Sequence, residues 1–108
     1  MILRKRKPFL ELTMNPVRAK MYYYVYILQS TKDKRWYTGF TVDIRKRLKE
    51  HNEGRFASWT KGRGPFELIY YEVCKNKEDA RNREIYLKTG MGKRYLKNRL
   101  KRFLALTG

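Results

Sequence analysis

The chain has 108 residues, with 27 Lys and Arg against 10 Asp and Glu, which gives a net charge of +17. This length predicts one domain with a modest core, and a hydrophobic fraction of 42% excludes a disordered basic tail. The single cysteine, Cys74, excludes an internal disulfide and a multi-cysteine zinc site, and no stretch approaches the roughly 20 apolar residues of a membrane span. The charge predicts a polyanionic partner, either a nucleic acid or an anionic membrane surface.

The first 20 residues form a basic extension whose status the sequence leaves open. Six cations lie there against a single acid, Glu11. The extension lacks the continuous apolar segment of a secretory signal, and Met21 can itself be a translation start. Residues 21–108 are therefore predicted to form the folded domain.

Three strands are predicted along the chain. Tyr22–Gln29 is rich in aromatic and β-branched residues and is apolar on both alternating faces, which predicts a strand that is covered on two sides. A turn around Asp33 leads to a second strand, Trp36–Phe40, and the short connection predicts an antiparallel hairpin. A third strand is predicted over residues 66–73.

Three helices are predicted, over residues 44–52, 77–89 and 92–104. Asp43 and Asn76 have side chains that can cap the first two, and Gly54 and Gly90 are predicted to end them. The third follows from an apolar stripe at helical spacing. The order ββαβαα predicts an α/β (α+β) domain, with a small three-stranded, largely antiparallel sheet and flanking helices.

Three polar side chains lie where helical spacing predicts packing. Arg47 and His51 share a face with apolar residues, so each either faces a cleft or lies at the edge of the stripe and extends to solvent. Glu84 lies within the stripe of the second helix. It either pairs with Lys88, four residues on, or holds a Mg²⁺ ion at a phosphate-binding surface.

Tyrosine is abundant, with nine residues in the chain, five of them between Tyr22 and Tyr37. Most tyrosines in such strands are packing residues. A phenol has an ordinary pKa of about 10, so it becomes a base at neutral pH only where a nearby cation lowers that pKa.

These residues follow one another in a recognisable order: Tyr24-Val25-Tyr26, Tyr37-Thr38-Gly39, Arg47, His51 and Glu84. The set resembles the GIY-YIG endonuclease superfamily, and the short bacterial proteins that consist of this domain alone. Tyr24 replaces the glycine of the first element and Thr38 replaces the isoleucine of the second. Asn98 is the only nearby candidate for a further asparagine of the family.

The resemblance implies hydrolysis of a DNA phosphodiester with one divalent metal, Mg²⁺ or Mn²⁺, bound by Glu84. It implies that Arg47 neutralises charge on the phosphate and that Tyr26 or Tyr37 helps to activate water. His51 would orient one of these tyrosines or act as the base, and Gly39 would let the backbone pass close to the site. Branched or damaged DNA in repair or recombination would be the substrate, in the bacterial cytoplasm or nucleoid, without a small-molecule cofactor or membrane partner.

Two basic segments are candidates for substrate binding. Aromatic and cationic side chains alternate in the loop over residues 54–65, where bases could stack and phosphates could be held, and the third helix carries further cations. The residues concerned are Arg55, Trp59, Lys61 and Arg63 in the loop and Lys93, Arg94 and Lys97 on the helix. Trp59 could instead serve only to pack the loop against the core.

The main alternative is a non-catalytic nucleic-acid-binding module, which size and charge alone would favour. A pure binding protein has little use for a carboxylate that faces a phosphate site, because the carboxylate repels the ligand. A membrane-binding protein is disfavoured, since no helix pairs a continuous basic face with a large unused apolar face.

Overall fold

The computed structural model describes residues 21–107, and an antiparallel sheet is its central element. The predicted extension over residues 1–20 lies outside the described residues. Three strands form the sheet: β1 (Tyr23–Ser30), β2 (Trp36–Thr41) and β3 (Phe66–Cys74). Their order is β2-β1-β3, with β1 antiparallel to both neighbours. The central place of β1 explains why both of its faces are apolar, as the sequence predicts.

Four helices flank the sheet: α1 (Ile44–Asn52), α2 (Lys77–Leu87), α3 (Gly90–Arg99) and α4 (Lys101–Thr107). The two predicted N-caps are confirmed, because the Asp43 side chain accepts from the Lys46 amide at 3.1 Å and that of Asn76 from the Asp79 amide at 3.0 Å. The predicted class, a three-stranded antiparallel sheet with flanking helices, is also confirmed.

Two helix boundaries differ from the prediction. Helix α2 ends at Leu87, and Gly90 begins the next helix instead of ending this one, because the Thr89 side chain caps α3 by accepting from the Gly92 amide at 3.1 Å. The single predicted third helix is two helices. Leu100 leaves the helical conformation at φ −104° and ψ 16°, which ends α3.

The sheet separates two apolar clusters. On one face, two side chains of β1 pack against three from α2 and α3. The five buried residues are Val25, Ile27, Ala80, Leu87 and Leu96. On the other, α1 and the loop that follows it cover Tyr26, Leu28 and Phe66. Among residues 21–107, no helix is both long enough and apolar enough to span a membrane. Tyr26 of the second cluster packs against Gly39, which lines the cavity described next.

Candidate active site

A cavity of about 460 Å³ opens between β2, α1 and α2. Three of the predicted catalytic residues line it, each from a different element: Tyr37 from β2, Arg47 from α1 and Glu84 from α2. The other two, Tyr26 and His51, lie behind this lining and are each 1% exposed. Their rings are nevertheless close to Tyr37, with centroids 6.4 Å and 4.7 Å away. The fold thus brings all five residues to one region.

A buried chain of hydrogen bonds fixes the tautomer of His51. The Thr60 hydroxyl donates to the Ala57 carbonyl at 3.0 Å, so its oxygen accepts the Nδ1–H of His51 at 2.9 Å. The lone pair of Nε2 then accepts the Tyr26 hydroxyl at 2.8 Å. Sequence reasoning missed Thr60, because a threonine in a glycine-rich loop carries no pattern that marks it as buried.

Burial sets the protonation states of His51 and the two tyrosines beside it. It lowers the pKa of His51 to about 4, with the nearby Arg47 charge adding to the effect, so the imidazole is neutral at neutral pH. Burial raises the pKa of Tyr26 and also that of Tyr37, where the charge of Glu84 adds to the rise. Neither phenol therefore meets the condition for a base at neutral pH, a pKa lowered by a nearby cation, because desolvation outweighs the charge of Arg47.

Arg47 is held in place on several sides. Its Nε donates to Glu50 at 3.0 Å, and its Nη1 donates to the Phe40 carbonyl at 3.3 Å. The guanidinium carbon lies 3.7 Å from the centre of the Phe56 ring. These contacts hold the side chain where it lines the cavity. Neither this half-buried arginine nor the buried His51 simply extends to solvent, so that alternative from the sequence is wrong.

Glu84 is the one carboxylate among the described residues that line the cavity. Its Oε2 pairs with Lys88 at 3.1 Å, as one of the two sequence-based alternatives predicts, and its side chain is 14% exposed against 54% for Lys88. Within residues 21–107, no group of three or more His, Cys, Asp or Glu residues could enclose a metal ion. A site with one carboxylate fits Mg²⁺, which is commonly held by one or two carboxylates together with substrate phosphates and water.

The two tyrosine-containing elements face each other across β1 and β2. Tyr26 is paired with Gly39, and the Tyr26 ring crosses this glycine so closely that a Cβ there would overlap the phenol. Thr38 is paired with Ile27 on the next rung of the ladder. Val25 belongs to the other apolar cluster, and Tyr24 packs on Tyr71 with centroids 5.8 Å apart.

The family model of the GIY-YIG catalytic domain matches residues 22–101 of this chain. The chain belongs to the GIY-YIG family. A UPF0213 protein of Clostridium perfringens is 51% identical over 65 residues, which are 60% of this chain and 69% of the relative. One from Haloquadratum walsbyi is 40% identical over 68 residues, 63% of this chain and 75% of the relative. The solution NMR structure of a UPF0213 protein from Bacillus halodurans is 42% identical, with a TM-score of 0.44, and the match covers 70% of this chain and 82% of that one.

Of the four loop residues predicted to bind substrate, two lie at the surface and two pack near Tyr37. Arg55 pairs with Glu53 at 2.6 Å, and Lys61 is exposed, so both lie at the surface. Trp59 packs against the second apolar cluster and stacks on Tyr37 at 5.7 Å, while the Arg63 guanidinium lies 4.6 Å from its ring centre.

The basic residues of α3 also separate. Lys93 and Lys97 line a second groove together with Trp59. Arg94 and Asn98 are exposed and line neither this groove nor the candidate active-site cavity. Asn98 is therefore not placed with Glu84 by this fold.

Proposed function

We propose that this protein is a metal-dependent DNA endonuclease that hydrolyses a phosphodiester bond in the cavity lined by Tyr37, Arg47 and Glu84. The observation that carries the proposal is the meeting of these three side chains, from three elements, in one cavity of a GIY-YIG domain. A cation, a phenol and a carboxylate together provide what phosphodiester hydrolysis needs: charge neutralisation, a hydroxyl beside the reacting atoms and a metal ligand.

Arg47 is the group that would neutralise the phosphate. A guanidinium binds phosphate oxygens as a planar fork, and one that is fixed in advance needs little reorganisation as charge develops. Its contacts with Glu50, the Phe40 carbonyl and the Phe56 ring provide this preorganisation. We therefore assign Arg47 to the phosphate that is cut.

Tyr37 is the phenol that would contact the reacting atoms, because it lines the cavity whereas Tyr26 is buried behind it. Both phenols are neutral at neutral pH, so they act as hydroxyls rather than phenolates. We assign His51 as the group that accepts the hydrogen bond of the Tyr26 hydroxyl at Nε2, since Thr60 holds the other ring nitrogen as the donor. Tyr26 and His51 thus support Tyr37 from the buried side.

Glu84 is the residue that would hold the metal, Mg²⁺ or Mn²⁺. When bound, the metal would supply a Lewis acid that polarises the phosphate. In support of this role, the Glu84 carboxylate already pairs with a cation, the Lys88 ammonium. Lys88 is exposed, so its side chain can move away when a metal ion binds. Branched or damaged DNA in repair or recombination, met in the cytoplasm or nucleoid, is the substrate class that we propose.

A cleavage assay with a matched pair of variants tests this proposal. Glu84→Gln removes the carboxylate charge from the cavity, whereas Glu78→Gln makes the same change at an exposed position of α2 that does not line it. Labelled duplex, flapped and four-way-junction DNA would be incubated with each protein, with Mg²⁺, with Mn²⁺ or with chelator. We expect metal-dependent cutting by the wild type and Glu78→Gln, and none by Glu84→Gln, which should still bind DNA.

A non-catalytic nucleic-acid-binding module remains the second candidate, and the Glu84–Lys88 pair favours it. A neutralised carboxylate no longer repels a phosphate, so a pure binding protein could retain Glu84 for structure. Binding without cutting on every substrate and with both metals would establish this second function. Cutting by Glu84→Gln at the wild-type rate would instead disprove the assignment of the metal ligand.

A further inference from the structure

A second groove, of about 490 Å³, lies at the end of the sheet beside the candidate active site. Both tryptophans of the chain, Trp36 and Trp59, line it, together with Lys93 and Lys97 from α3. It shares no lining residue with the cavity of Tyr37, Arg47 and Glu84. We call it the tryptophan groove.

The rim of the tryptophan groove is strongly cationic. Its four charged residues are Lys34, Arg35, Lys93 and Lys97, and no aspartate or glutamate of the described chain lines it. Of these four, Arg35 alone forms an ion pair within residues 21–107, a long one of 3.9 Å with Asp33. A cluster of cations with little compensation favours an anionic ligand.

The walls of the groove are aromatic, and the two rings differ in how they are held. Trp59 is fixed by the ring of Tyr37 and by the guanidinium of Arg63. Trp36 is half-buried, packs against the first apolar cluster, and lines the groove with the rest of its surface. The exposed part of Trp36 thus faces the groove, where a planar group could stack on it.

A planar apolar surface beside cations is complementary to one nucleotide, whose base stacks and whose phosphate carries the negative charge. A base inside a duplex has both faces covered by its neighbours, so only an unpaired base can enter. The groove is also next to the reaction site, because Trp59 stacks on Tyr37 with centroids 5.7 Å apart. A strand bound in the tryptophan groove can thus pass directly to the cavity.

We infer that the tryptophan groove binds an unpaired nucleotide of the DNA strand, next to the bond that is cut. The inference rests on the proposed nuclease function for the cut itself, and it specifies the substrate class: DNA with a single-stranded segment, such as a flap or a gap, adjoining the cleavage position.

Intrinsic fluorescence can test the inference directly, because both tryptophans of the chain lie in this groove. The full-length Glu84→Gln protein would be titrated with short oligo-deoxythymidine and with a duplex of equal phosphate number. We expect the single strand to quench the tryptophan emission, and the duplex to bind with much weaker quenching. Trp36→Phe and Trp59→Phe would assign the quenching, which we expect mainly from Trp36.

Charge-matched double variants separate a local site from general attraction. Lys93→Ala with Lys97→Ala removes two groove cations, and Arg94→Ala with Lys101→Ala removes two exposed cations that do not line it. Both pairs should weaken duplex binding alike, because each removes the same charge. The groove pair should weaken single-strand binding roughly tenfold more than the other pair, and Trp36→Leu, with both lysines retained, should do so by a similar factor.

The outcomes distinguish this inference from the nuclease proposal, because fluorescence needs no cleavage. Equal quenching by duplex and single strand, or equal loss of single-strand binding in the two charge pairs, would overturn the groove assignment even if the protein cuts DNA. Strand-specific quenching that the groove pair abolishes would support it even if no substrate is cut. All four substituted lysine and arginine positions are exposed, so this comparison does not depend on a variant that disturbs the core.

Discussion

His51 is the only histidine of the chain, and because it is buried, the stability of the fold depends on its protonation state. Nδ1 donates a hydrogen bond to Thr60, and Nε2 accepts one from the hydroxyl of Tyr26, so the folded state favours the neutral imidazole. A proton added at Nε2 would break the bond with Tyr26 and place a charge beside Arg47. The same contacts that support the candidate active site therefore make the fold sensitive to acid.

We expect the free energy of unfolding to fall between about pH 6.5 and pH 4 because of His51. Its pKa is about 4 in the folded protein and 6.5 in the unfolded chain, so the unfolded state binds more protons in this window. The stabilisation is complete above the window, and by pH 5 about 2 kcal/mol of it is lost. Urea unfolding of the wild type and His51→Gln at a series of pH values would measure this. The variant should be less stable but should lack this slope between pH 5 and 6.5, and an unchanged slope would contradict the explanation.

For individual side chains, the sequence predicts which residues meet but not which neighbours hold them in place. Arg47, His51 and Glu84 are detectable because each is polar where helical spacing predicts packing. Glu50 and Thr60, which hold the arginine and the histidine, follow no such rule. The phenol pKa values were also out of reach, because they depend on burial, and burial is a property of the assembled fold.

At the junction between α2 and α3, the two helices come into close contact. A Cβ at Gly92 would overlap the carbonyl oxygen of Tyr86 and the Cα of Leu87, whereas a Cβ at Gly90 would have no atom of the described residues within 4 Å. The sequence predicts the caps and the strands because they depend on local chemistry. It misplaced this junction because Gly90 and Gly92 look alike as helix terminators until the packing of the two helices is known.

We expect the two glycines to respond oppositely to alanine. Gly92→Ala should lower the free energy of unfolding by roughly 2–3 kcal/mol, since backbone atoms of α2 must move and Leu87 and Leu96 lose their packing. Gly90→Ala should leave it unchanged or raise it by up to about 1 kcal/mol, because alanine favours a helix and meets no neighbour. Urea denaturation of both variants would measure the difference. Similar values for the two would show that the helices are not in close contact here.

For the molecule as a whole, the packed core and the candidate active site lie in the same part of the chain. Residues 21–107 contain the three-stranded sheet, both apolar clusters and all five candidate catalytic residues. The family match over residues 22–101 falls within almost the same limits. The net charge of +17 predicts a polyanion as partner, but it says nothing of where the reaction takes place. The candidate active site is located by the order of the tyrosine, arginine, histidine and glutamate residues along the chain, together with the topology that brings them close to one another.

Deleting residues 1–20, so that the chain starts at Met21, should therefore separate attraction to DNA from folding and cleavage. The deletion removes six cations and one acid, so DNA should bind more weakly and with a shallower dependence of log Kd on log salt concentration. The urea midpoint and the cleavage rate at saturating DNA should not change, because the truncated chain retains every described residue of the sheet, the two apolar clusters and the cavity. Equilibrium unfolding, a salt series of binding measurements and single-turnover cleavage would test the three expectations separately. A truncated chain that fails to fold would show that the core depends on the extension, whereas an unchanged salt dependence would show that the phosphate contacts are made by the domain alone.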